Sequence, residues 1–363
     1  MIWKEFIAWK ARGPAMFIDT GSTLLNLAIS DRVDGGYPIG KMVNLIGDSS
    51  AGKTFEALTS MACAVYNPEL ADMQKIYDDI EAADSFNKEL LFGKKAAEEI
   101  VMPWRMVAQG KDGKGKKLKV SECSVLFEDW EANLNAALKR GRCFYIADSF
   151  DGLSDKAEMK HAETRMEAHE KGQESKGSYA MSKPKQASAY LRQVCPKIKR
   201  TGSFLLILSQ TRDDINPLTM SKKTRAGGKA LKFYASVEIW MAHAKALNKT
   251  VNGQAEKIGM IARFKVSKNK ITGKYRQVDI PIYYDYGLDD IGSCVDYLVK
   301  MKYWKKSGNG IVVPKFKFNG SREKLIKMLD ASPKKERQMK EMLQKCWDQF
   351  EGKLKGNRKP RFG

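Results

Sequence analysis

The 363-residue sequence is poor in the groups that build metal centres and membrane spans. It has only three histidines, and its six cysteines include no C-x-x-C pair. Cys63, Cys123, Cys143, Cys195, Cys294 and Cys346 lie far apart and the histidines do not cluster with them, so free thiols and no zinc site are expected. No apolar run approaches the ~20 residues of a membrane helix. The opening MIWKEFIAWKARG places charges among its aromatics too early for a signal peptide, so the chain reads as cytoplasmic. Acids are also short: 43 Asp and Glu face 64 Lys and Arg, a formal charge of +21. Such an excess repels itself unless a polyanion is the usual partner, with nucleic acid the first candidate and a merely soluble basic surface the alternative. The charge gathers in irregular stretches: Lys111, Lys114, Lys116, Lys117 and Lys119; Lys222, Lys223 and Arg225; and Lys353, Lys355, Arg358, Lys359 and Arg361. These read as phosphate-seeking segments.

What is present is sharper. Between the strand-like MVNLI and the helix-like FEALTSMACAV stands GDSSAGKT, Gly47 to Thr54, which fits G-x-x-x-x-G-K-[ST]. A strand ending in a glycine-rich turn aims backbone N–H groups into one concavity, and the following helix adds the positive end of its dipole. Gly47, Asp48, Ser49, Ser50, Ala51 and Gly52 would cradle a polyphosphate such as ATP. Lys53 would reach the outer phosphates and Thr54 would ligate Mg2+.

Strand-like and helix-like stretches alternate from about Met42 to Asp285, which predicts an α/β fold: a mostly parallel sheet with helices on both faces. Strands are expected at MVNLI, KIYDDI, CFYIAD, SFLLILS, SVEIWMA, IGMIARFKV and YRQVDIPIYY. The last three lack intervening helices, so that edge should be antiparallel. From Gly287 the pattern changes to a capped helix, a short strand VVPKFKF and two further helices. The expected organisation is a segment 1–15, a core 16–286 and a small C-terminal domain 287–363 with a basic tail. Residues 107–120 and 169–185 fit no element.

Other candidates cluster at strand ends. Asp148 closes CFYIAD, where a carboxylate either caps a turn or, paired with the phosphate loop, holds magnesium through water. Glu81 follows KIYDDI and could orient a water for attack on the γ-phosphate, with Asp78, Asp79 and Asp84 as competitors. Gln210 ends SFLLILSQ and could tell ATP from ADP by one hydrogen bond, or could simply satisfy backbone at the sheet edge. In RFKVSKNK, period-2 alternation places Phe264, Val266, Lys268 and Lys270 on one face, an apolar face turning cationic as the strand leaves the core for an interface.

The order GDSSAGKT, Glu81, IADS, LSQ, GGKALKFYASV and VSKNK resembles the RecA-type recombinases, from Thr20 to about Phe350 with the Lys111 insertion outside the match. The resemblance implies a RecA-like ATPase core in which Lys53 and Thr54 bind phosphate and magnesium, Glu81 activates water, Asp148 supports the metal and Gln210 senses the γ-phosphate. It implies that Lys268 and Lys270 reach the neighbouring subunit's ATP. It also implies a second DNA loop from Arg212 to Gly228, with Arg212, Ile215, Lys222, Lys223, Arg225, Gly227 and Gly228 as contacts, and a first loop within 170–185. The implied protein polymerises on single-stranded DNA, pairs it with homologous duplex and hydrolyses ATP at subunit interfaces, with a single-strand-binding protein or mediator as accessory partner. A ring-shaped helicase-like motor and a non-catalytic coating or mediator protein are the alternatives.

Some positions depart from the family. In place of a longer N-terminal docking helix, Ile2, Phe6 and Trp9 could make a short apolar stripe that docks on the neighbour, or could fold onto their own core. Asp213 and Asp214 bring acids into the second loop, and Glu238 replaces an interface arginine. The tail is basic rather than acidic. The divergence points to a phage-encoded member.

Overall fold

The computed structural model describes residues 17–108, 117–156, 158–160, 164, 166, 182–213, 223–225 and 228–354. A short pair, β1 (Phe17–Ile18) and β2 (Tyr37–Pro38), leads into the central sheet. Its parallel strands are β3 (Met42–Gly47), β4 (Gln74–Asp79), β5 (Ile100–Val101), then, beyond a hairpin of β6 (Trp104–Ala108) and β7 (Lys117–Ser121), β8 (Cys143–Asp148) and β9 (Phe204–Asp213). β10 (Lys223–Arg225) turns back antiparallel on β9. β11 (Val237–Val251) joins parallel to β3, and β12 (Gln254–Asn269), β13 (Gln277–Tyr283) and β14 (Gly287–Leu288) complete an antiparallel edge. The order is β14-β13-β12-β11-β3-β9-β8-β4-β5. The expected architecture is therefore present, parallel in the middle and antiparallel at one side.

Every residue of β3 and β8 is buried, as strands covered on both faces require. Helices Lys53–Tyr66 and Thr23–Ser30 cover one face, where Leu25, Leu58 and Met61 share one apolar cluster with Val43 and Leu45. Helices Phe127–Arg140 and Ser182–Thr201 cover the other, where Trp130, Leu134 and Leu191 meet Tyr145 and Ile207. The chain runs outward from β3 to β4, returns through β8 and β9, and resumes beyond β3 at β11. The carboxyl ends of β3, β4, β8 and β9 thus lie side by side where α/β sheets open a crevice.

After β14 come helix Asp290–Lys300, the three-stranded β15 (Lys305–Ser307), β16 (Gly310–Val313) and β17 (Phe318–Gly320), and helices Arg322–Asp330 and Pro333–Leu354. Asp289 caps the first, accepting from the Gly292 N–H at 2.8 Å. VVPKFKF is not one strand. Pro314 has no N–H to pair, so β16 stops at Val313, a 3-10 turn Pro314–Phe316 follows, and Lys317 at φ 49° redirects the chain into β17. Leu298, Leu325, Leu343 and Trp347 share one apolar cluster with Ile18 and Leu24. Trp347 Nε1 donates to Asp31 at 3.0 Å, and Glu351 accepts from Arg276, so the last helix is tied to the core by polar groups as well. Among the described residues no helix is long and apolar enough to cross a membrane, and all six cysteines are free.

Candidate nucleotide site and loop stem

Gly47 ends β3 with no room for a side chain, since a Cβ there would lie 2.5 Å from the Met241 carbonyl oxygen. Ser50 (φ 60°) and Gly52 (φ 91°) turn the chain through left-handed conformations, and helix Lys53–Tyr66 starts at once. Lys53 is buried and its ammonium donates to the Gly47 and Asp48 carbonyls at 2.9 and 2.8 Å, holding the loop in a ring. Burial lowers the Lys53 pKa, opposed by Asp148, Glu81 and Asp48. Thr54 Oγ1 donates to Asp148 Oδ2 at 2.7 Å, which joins the helix start to the end of β8. Tyr77 donates to the same oxygen at 3.1 Å. Burial pushes the Asp148 carboxyl up to about 6, against the pull of these two hydroxyls.

Glu81 sits just past β4, its turn fixed by the Ile80 and Glu81 N–H groups bonding the Asp148 carbonyl at 2.7 and 3.2 Å. Its Oε1 accepts from Ser149 Oγ and from Gln210 Nε2, the latter at 2.7 Å. The competitors have other work. Asp78 is fully buried and accepts from the Ser124 backbone and hydroxyl and from Tyr145. Asp79 accepts from the Ala83 and Asp84 N–H groups, and Asp84 pairs with Lys88. A cleft of about 310 Å³ is lined by Ser49, Gly52, Lys53, Thr54, Glu81, Asp148 and Gln210 among others. A phosphate chain with magnesium fits this donor set: loop N–H groups, a captive ammonium, and a hydroxyl beside a carboxylate.

Ser149, Tyr77 and Asp151 belong to the site and were not legible in the sequence. Asp151 Oδ2 accepts the Gln210 N–H at 2.7 Å and so fixes the end of β9. Only the adjacency of Ser149 and Asp151 to Asp148 could have signalled them.

Beyond Gln210 the expected polar loop has a stem. β9 continues through Thr211, Arg212 and Asp213, which pair with Arg225, Thr224 and Lys223 of β10. Arg212 is exposed. Arg225 departs from an exposed phosphate contact. Its side chain is 8% exposed, pairs with Glu238 and donates to Asn44 Oδ1 at 3.0 Å. Glu238 also accepts from Trp240 at 3.0 Å and Ser267 at 2.9 Å, so this acid is satisfied within its own chain. Gly228 opens helix Gly228–Tyr234. Ile215, Lys222 and Gly227, Asp214, residues 170–181 of the first loop, the insertion 109–116, the segment 1–16 and the tail 355–363 lie outside the described residues.

The alternation expected in RFKVSKNK fails at Ser267. Ile239 pairs with Val266 but Glu238 pairs with Lys268, a one-residue bulge. A bulge inverts every following side chain. Phe264 and Val266 face the core, Asn269 turns inward after them and bonds the Ile29 carbonyl at 2.8 Å, and Lys268 lies on the Glu238 face. Lys268 donates to the Lys232 and Phe233 carbonyls, the latter at 3.1 Å, at the negative end of their helix. Lys270 is exposed beyond the strand.

A phosphate loop on β3, a hydroxyl–carboxylate pair to β8 and a strand-end amide on β9 define a P-loop protein with a RecA-like core. The family model of the RecA N-terminal domain matches residues 145–289. Protein RecA of Nocardia farcinica is 27% identical over 302 residues, covering 83% of this chain and 74% of that protein. Protein RecA of Mycobacterium marinum is 27% identical over 299 residues (82% and 74%), and that of Porphyromonas gingivalis 27% over 312 (86% and 79%). The chain is thus similar to RecA proteins over most of its length, and the family model of their N-terminal domain matches its stretch from β8 to β14.

Proposed function

We propose that the protein is an ATP-dependent homologous recombinase that forms filaments on single-stranded DNA, pairs it with homologous duplex and exchanges strands. The observation that carries this reading is the contact of Gln210 with Glu81 over the phosphate loop: the residue fitted to sense the γ-phosphate touches the one fitted to activate water. The loop N–H groups and Lys53 would hold the phosphates of ATP, and Thr54 and Asp148 the magnesium, which when bound supplies neutralising charge. Glu81 orients and takes a proton from water, while Gln210 shares its amide between Glu81 and the site of the terminal phosphate. Its backbone leads directly into the loop stem, so a change in that amide's partner alters where the stem starts. Lys268 and Lys270 would complete a neighbour's site; Lys268 must leave its helix carbonyls to do so. Units 16–286 and 287–363 would serve as ATPase core and C-terminal domain, in the cytoplasm.

Sequence specificity would come from base pairing, with the charge of +21 gripping backbone phosphates, so binding should weaken steeply with salt. The test is joint-molecule formation between single strands and homologous or unrelated duplex, in ATP and magnesium. Product with the homologous duplex alone is expected. Equal yields from both would remove strand exchange.

A further inference from the structure

Asp48, the second residue of the phosphate loop, is absent from the cleft lining, because its side chain turns the other way. Its carboxylate accepts from Thr211 Oγ1 and from Lys223 Nζ. Thr211 is the first residue of β9 after Gln210, and Lys223 opens β10, so one side chain bridges both strands at the base of the loop stem. The same residue's carbonyl holds Lys53 at 2.8 Å. Two ammonium groups therefore hang on Asp48, the phosphate-binding one on its backbone and the loop's on its side chain. These partners depress the Asp48 pKa, with Lys223 foremost and Thr211 next. The pair is half-exposed, 50% and 45%, too open to water and salt to contribute much to folding.

We propose that Asp48 is a positioning residue that couples nucleotide occupancy to the second DNA loop, by a route separate from Gln210. The proposal rests on the nucleotide and DNA roles given above. Docked on Asp48, Lys223 adds a positive charge beside the phosphate loop, so bound polyphosphate favours the docked stem and the docked stem favours polyphosphate. Linkage makes the two effects equal. Without the carboxylate, the link from Lys223 to the phosphate loop is broken and the stem no longer registers what that loop holds.

The test compares the affinity of the full chain for a fluorescent single-stranded oligonucleotide with and without a non-hydrolysable ATP analogue and magnesium, the readout being the ratio of the two affinities. In Asp48→Asn and in Lys223→Met the ratio should fall about fivefold, a size within the usual range of coupling between sites. Asp48→Glu and Lys223→Arg should restore most of it. Asp48→Asn combined with Lys223→Met should fall no further than either alone. A merely structural role would change both affinities together and leave the ratio intact. An unchanged ratio in Asp48→Asn, or additive losses in the double variant, would overturn the proposal while leaving the function proposed above in place. A wild-type ratio of one would overturn both.

Discussion

Replacing Glu81 by Gln should lower ATP turnover about 10²- to 10⁴-fold, the usual contribution of a positioned general base, while nucleotide still binds. The substitution is close to isosteric. It keeps an oxygen to accept from Ser149 and Gln210 and removes the basicity alone. None of the neighbouring acids can take over without breaking existing bonds: Asp78 is committed to Ser124 and Tyr145, Asp79 to the turn that follows it, and Asp84 to Lys88. Phosphate release under single-stranded DNA, set against binding of a fluorescent ATP analogue, separates the two effects. If turnover stays within about twofold of wild type, the water must be activated elsewhere; loss of both signals would mean that Glu81 shapes the site instead. Because hydrolysis is the step removed, the variant should also stay longer on DNA.

The phosphate loop was readable because it is local: its eight residues carry the turn, the charge and the helix start within one continuous segment. The sheet was readable for a similar reason, since β3, β8 and β9 are short apolar runs whose burial on both faces leaves little choice of element. Glu81 and Gln210 could be singled out one at a time at strand ends, but their meeting depends on β9 and β8 lying between β3 and β4, which is a property of strand order and not of either segment.

What was not readable depended on pairings between distant segments. Nothing in VSKNK marks Ser267 as an extra residue; the bulge exists because Glu238 pairs with Lys268 while Ile239 keeps Val266. Arg225 looks like a loop cation until Glu238, thirteen positions on, claims it. Asp48 is one of several interchangeable residues in its motif, and its partners are 163 and 175 positions away. A charged residue in a polar stretch has many possible partners, and only the fold selects among them.

Stability should depend on pH through a carboxyl that the nucleotide chemistry does not use. Glu56, in the first turn of helix Lys53–Tyr66, is fully buried, accepts from Tyr37 at 2.6 Å through Oε1 and has no partner for Oε2. Burial raises its pKa to about 8, only partly offset by the Tyr37 hydroxyl. The folded state thus keeps a proton that the unfolded chain, near the ordinary value of 4.5, gives up. A raised pKa means stability that is complete below about 4.5 and is lost as pH climbs toward 8, at about 1.4 kcal/mol per pH unit and on the order of 3–5 kcal/mol in total. Glu56→Gln keeps the acceptor for Tyr37 and cannot ionise, so its unfolding free energy should lack that slope. The two proteins should match near pH 4.5 and diverge until the variant is more stable by several kcal/mol at pH 8. Urea unfolding of both across this range reads the difference directly. Parallel profiles would show that Glu56 ionises in place, solvated by water reaching its second oxygen.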